Sequence, residues 1–105
     1  MLVTAEKRYF ERIHLEEPEW VACEGIGFGF HGRISVLGLG GLLIRGGKTY
    51  PIGTLLPLRL KYGSSTVDAD CLVRDVEDKA FGVEFVKFRN GGEASLRQIV
   101  EHFRA

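Results

Sequence analysis

Between residues 55 and 85, apolar and polar residues alternate with a period of two, a pattern that a helix cannot sort onto one face and an antiparallel sheet can. Leu56, Leu58, Leu60 and Tyr62 interleave with Pro57, Arg59 and Lys61. Val67, Ala69, Cys71 and Val73 face away from Asp68, Asp70, Leu72 and Arg74, and Glu84 lies opposite Phe81, Val83 and Phe85. Gly63-Ser64-Ser65 and Glu77-Asp78-Lys79 supply polar turns between the runs. Strands at roughly ten-residue spacing with short turns predict an antiparallel barrel or sandwich. Pro57 cannot donate to a ladder, so its strand is expected at an edge or with an irregular start.

Upstream, Trp20-Val21-Ala22-Cys23-Glu24 reads as a short strand, and Gly25-Ile26-Gly27 as a turn. Phe28, Phe30, Ile34 and Val36 then fall on one parity, with Gly29, His31, Arg33 and Ser35 opposite. In Leu37-Gly38-Leu39-Gly40-Gly41-Leu42-Leu43-Ile44, glycines interrupt an aliphatic run, which marks a bulge or the close approach of another backbone or a ligand. Arg45-Gly46-Gly47-Lys48 is a turn signal. The period changes only at the end. Leu96, Ile99, Val100 and Phe103 form one helical stripe, with Ser95 and Gln98 spaced as a capping box. That helix is expected to cover an open end of the barrel.

With 105 residues, the chain is read as one domain with a core of its own. Fourteen basic and fourteen acidic side chains balance, which disfavours bulk binding to DNA or RNA. There is no apolar run of membrane-spanning length, and the first six residues do not read as a signal peptide. Cys23 and Cys71 sit far apart in strand-like surroundings and are expected as buried reduced thiols. A cytoplasmic location follows as the expectation. His14, His31, His102 and the cysteines show no paired metal-ligand spacing. Gly25-Ile26-Gly27-Phe28-Gly29-Phe30 is followed by no helix, which argues against a dinucleotide loop. Asp68 and Asp70 share a strand face and read as solvated carboxylates rather than an acid–base pair. Catalysis is not expected.

The conspicuous polar feature is Lys7-Arg8-Tyr9-Phe10-Glu11-Arg12. Arg8 and Arg12 point to one side of an extended arm, about 13 Å apart, and share a face of a helix, about 6 Å apart. Two guanidinium forks aimed alike suit phosphate oxygens or the O6/N7 edge of guanine. Lys7 adds charge at a ligand or simply keeps the arm hydrated.

Taken in order, these motifs resemble the PilZ domain family over nearly the whole chain. The resemblance rests on Arg8-x-x-x-Arg12, a glycine-rich strand about twenty-five residues on, Gly82-Val83-Glu84-Phe85, and the closing helix. It implies a six-stranded antiparallel β-barrel with a C-terminal α-helix (residues 13–105) preceded by an arm (1–12). It also implies a role in bacterial cyclic di-GMP signalling. In such domains the arginines hold phosphates and guanine edges, and an Asp/Asn-x-Ser-x-x-Gly strand meets the guanine. Aligned without gaps, Gly32 to Gly41 puts Val36 at the acidic position and Gly38 at the serine, and keeps Gly41. A second register keeps Ser35 and Gly38 but sets Arg33 at the acidic position and needs three extra residues before Leu42. The first continues into Gly41-Leu42-Leu43-Ile44 without insertion and is preferred. Base-edge contacts contribute on the order of 1–3 kcal/mol each, so Val36 and Gly38 weaken the grip. Backbone exposed at Gly38, Gly40 and Gly41 can restore part of it. The expected ligand site is therefore Lys7, Arg8, Arg12, Val36, Gly38, Gly40 and Gly41, with the arm ordering on the bound nucleotide. The competing expectation is a barrel that binds no nucleotide and serves as a protein–protein adaptor in motility, pilus or surface assembly.

Overall fold

The computed structural model describes residues 12–16 and 21–104. Seven strands precede one helix: β1 (Arg12–His14), β2 (Val21–Gly25), β3 (His31–Gly38), β4 (Gly41–Gly46), β5 (Leu55–Tyr62), β6 (Ser65–Glu77), β7 (Ala80–Arg89) and α1 (Gly92–Arg104). All pairings are antiparallel. Six strands, β2 to β7, close into a barrel through the β3–β4 pairing, and β1 is the extra strand. β1 and β2 share one edge of β3: His31 to Ile34 pair with β2, and Val36 to Gly38 pair with β1.

The alternation that announced β5 and β6 is the alternation that fills the barrel. Leu58, Leu60, Val67, Ala69, Cys71 and Val73 are fully buried, together with Ile34, Ile44 and Phe81. Two hairpins are set by left-handed backbone at the turns. Gly63 (φ +60°) opens the β5–β6 turn, where glycine carries no Cβ penalty. Lys79 (φ 62°) closes the β6–β7 turn.

Several expectations need correction. Val36 does not share the core face with Ile34. The β3–β4 register slips between those two residues, so Ser35 is a bulge and the parity flips. Leu37 is buried instead, and Val36 is half-exposed on the outer face. β3 also starts at His31, so Phe28 and Phe30 belong to the preceding loop. The glycine run is not one interrupted strand but a hairpin: β3 ends at Gly38, Leu39 and Gly40 turn, and β4 begins at Gly41. The expected close backbone approach does occur there, because a Cβ on Gly41 would overlap the Val83 carbonyl oxygen.

β5 is no edge strand; it lies between β2 and β6. Pro57 is tolerated because β2 ends at Gly25, opposite Leu58. Beyond that point only the Pro57 carbonyl is used, accepting from the Ile26 N–H at 2.9 Å. Finally, Ser95 is not an N-cap. The helix starts at Gly92, and the Ser95 amide already donates to the Gly91 carbonyl at 3.3 Å.

Asp68 also departs from its expected solvation. It is only 9% exposed and receives both Arg59 Nε (2.7 Å) and Nη2 (2.9 Å), with Asn90 Nδ2 at 3.4 Å. The Arg59 fork holds its carboxyl below the ordinary carboxylate range against the opposing effect of burial. Asp70 pairs with Arg89 at 2.9 Å. Cys23 and Cys71 are buried free thiols, as expected.

The two ends of the barrel are closed differently. α1 buries Leu96, Ile99 and Val100 and sets Phe103 against Tyr62, ring centroids 4.8 Å apart. Its first residue lies so near β6 that a Cβ on Gly92 would come 2.8 Å from the Asp68 carbonyl oxygen. At the opposite end, Phe30, Tyr50 and Phe81 pack edge to face in a triad with centroids 5.6–5.7 Å apart, and Phe28 joins Tyr50 at 5.9 Å. Among the described residues no helix is long and apolar enough to cross a membrane.

Candidate functional site

Strand register lays out a transverse row on the outer wall. Arg12 of β1 pairs with Gly38 of β3, and Gly38 stands across the hairpin turn from Gly41. Gly41 pairs with Glu84 of β7, and Glu84 with Leu72 of β6. Between Arg12 and Glu84 the wall therefore has two positions without side chains. Adjacent strands lie about 4.8 Å apart, so a straight path from Arg12 to Glu84 across three spacings is roughly 14 Å.

That bare floor underlies an open groove of about 760 Å³. Its volume falls within the range of small-molecule sites, about 300–1,000 Å³. Arg12, Val36, Gly38, Gly40 and Gly41, five of the seven residues expected at the site, all line it. Lys7 and Arg8 lie outside the described residues. Arg12 is exposed and makes no ion pair among the described residues. On the far bank, Arg74 Nε lies 3.4 Å from Glu84 Oε1, and Asp75 and Glu77 add further carboxylates. Leu39, Leu42 and Leu43 make the groove partly apolar. Phe85 and Phe88 line it as well, their rings tilted by 37° with centroids 4.8 Å apart.

Guanidinium groups at the rim suit anionic oxygens, the half-buried main chain at Gly40 and Gly41 suits hydrogen bonding, and aromatic faces suit a planar base. The described lining contains no hydroxyl or thiol nucleophile. Among the described residues no group of three or more His, Cys, Asp or Glu side chains could hold a metal ion.

Arg74, Glu84, Phe85 and Phe88 escaped the sequence reading of the site. Arg74 and Glu84 looked like outward residues of ordinary strands. Alternation turns both outward, and the pairing of β6 with β7 brings them together beside the groove; the β6–β7 register slips between Val73 and Asp75, with Arg74 at the slip. The Gly82-Val83-Glu84-Phe85 motif is the one available sequence signal for Glu84 and Phe85.

Residues 6–102 match the family model of the PilZ domain, and the chain belongs to that family. Several solved structures share its fold, two of them as follows. One is the Bacillus subtilis inhibitor of motility, MotI/DgrA, with TM-score 0.66 at 14% identity over 92% of this chain and 51% of that one. The chain thus spans about half the length of that protein. The other is the PilZ domain of Escherichia coli YcgR with c-di-GMP, with TM-score 0.61 at 15% identity over 93% of this chain and 89% of that one. No curated protein matches the chain.

Proposed function

We propose that the chain is a cyclic di-GMP sensor of the bacterial cytoplasm. In this reading Arg8 and Arg12, helped by Lys7, clamp the nucleotide's phosphates over the Gly38–Gly41 hairpin. The observation that carries the reading is Arg12, which stands over the glycine-floored groove without an ion pair among the described residues. The guanidinium is thereby available to a ligand at little cost. Backbone at Gly38, Gly40 and Gly41 stands in for the side chains that Val36 and Gly38 do not provide. Arg12 already stands in β1, and the arm ahead of it orders when both clamps are filled and offers a new surface to a protein partner. Similarity to a structure described as a PilZ domain with c-di-GMP supports this choice of ligand.

The second reading is an adaptor that binds no nucleotide and serves a motility or surface-assembly complex. It is favoured by the apolar lining at Val36, Leu39, Leu42 and Leu43, where a guanine would meet few polar side chains. Similarity to a structure described as an inhibitor of motility is compatible with either reading.

Isothermal titration with cyclic di-GMP separates them. The sensor gives saturable heat, and replacing Arg8 and Arg12 together by alanine cuts affinity by about a hundredfold or more, since each charge-assisted contact contributes roughly 1.5–3 kcal/mol. Silence at high micromolar nucleotide, or an unchanged isotherm in the double variant, leaves the adaptor.

A further inference from the structure

Two guanidinium groups face the groove among its described residues, and only one has been given a task. Arg12 stands on the near bank. Arg74 stands on the far bank, on the outward face of β6 at the register slip between Val73 and Asp75. Its neighbour there is Glu84, at 3.4 Å, with the two side chains 57% and 44% exposed. Glu84 in turn lies directly opposite Gly41, so its carboxylate borders the bare floor on which a ligand would rest.

We infer that Arg74 is a second anion-binding residue of the groove and that Glu84 is its built-in competitor, occupying the guanidinium until a ligand phosphate replaces it. This rests on the cyclic di-GMP reading above. A carboxylate and a phosphate offer the same paired oxygens to a guanidinium fork, so the exchange swaps one acceptor for another of greater charge. An exposed pair of this kind is held only weakly, so opening it opposes binding little. The carboxylate left behind is the larger obstacle, because it remains beside an anion. Asp75 and Glu77 on the same bank add to that repulsion. In a chain whose hairpin carries Val36 and Gly38, a cation on the far bank compensates for polar side chains the near wall lacks. Glu84 then sets the nucleotide concentration at which the groove fills.

Titration of cyclic di-GMP into wild type, Glu84→Gln, Arg74→Ala and the double variant tests this, with Arg97→Ala on α1 as a control away from the groove. Thermal melts confirm that each variant is folded. Glu84→Gln should bind about two- to fivefold tighter, the size expected from removing one exposed charge contact. Arg74→Ala should bind roughly tenfold weaker or worse, and Glu84→Gln should tighten binding less in the Arg74→Ala background than in wild type. Arg97→Ala should match wild type. Wild-type affinity in both single variants overturns the inference while the sensor reading stands. Tightening by Glu84→Gln that persists undiminished in the double variant overturns the role of Arg74. Absence of binding by every variant, Glu84→Gln included, removes both readings together.

Discussion

Asp68 shows how one side chain can tie three strands together. It sits on β6, takes the fork of Arg59 from β5 and the amide of Asn90 just beyond β7, and is nearly closed off from water. Because its folded carboxyl titrates below the ordinary 3.8, it contributes stability that is present above that value. The contribution is lost as pH falls through the lower, folded value. Asp68→Asn should therefore melt below wild type at pH 7, and the gap should close as the pH drops below 3.8. A gap that is independent of pH contradicts the assignment. The cysteines make a second residue-scale test. Burial pushes both Cys23 and Cys71 up to about 12, further raised by neighbouring charge from Cys71 and Asp70 respectively. A maleimide at pH 8 should leave both thiols unmodified in the native protein and label both in denaturant. The burial of the cysteines was legible from their places in alternating runs. The burial of Asp68 was not, because it depends on Arg59, nine residues away, meeting it across the ladder.

At the scale of elements, regular strands were legible and irregular ones were not. β6 could be read because Val67, Ala69, Cys71 and Val73 keep strict parity. β3 could not, because nothing in Ile34-Ser35-Val36-Leu37 states that Ser35 will bulge; that is decided by pairing with β4 and by Leu15, whose N–H donates to the Ser35 carbonyl at 2.9 Å. Arg74 faces outward by the parity of β6, but its neighbour Glu84 is set by the partner strand. The glycine run signalled a close approach, which Gly41 fulfils against β7. Gly41→Val should cost on the order of 1–3 kcal/mol, the usual range for overpacking a filled site, read as a drop in the chemical-denaturation midpoint. The corrected helix start gives a contrasting pair. Ser95→Ala should change stability by less than about 0.5 kcal/mol. Gly91→Ala should cost about 1–2 kcal/mol, because Gly91 holds φ at +73° where a Cβ is disfavoured. If the Ser95 variant is the more damaging of the two, the helix begins at Ser95 after all.

For the whole molecule, the closed barrel sets most of the site apart from the core. α1 stops one end, the aromatic triad stops the other, and the groove lies on the outer wall, meeting the buried core through Leu42 and Val83 among its lining residues. Phe81→Ala should remove about 3–5 kcal/mol of stability by opening a hole at the aromatic end, and the surviving folded fraction should still bind ligand. The family and its architecture were legible in motif order. The far bank of the groove was not, since Arg74 and Glu84 come together only once β4, β7 and β6 are paired. The central claim is that nucleotide lies across the glycine floor between Arg12 and Glu84. Amide chemical-shift mapping during a cyclic di-GMP titration tests it most directly. The largest shifts should fall at Arg12, Gly38, Gly40, Gly41 and Glu84, with Ile52 and Arg97 unmoved. Shifts confined to residues away from that row, or none at saturating nucleotide, would contradict it.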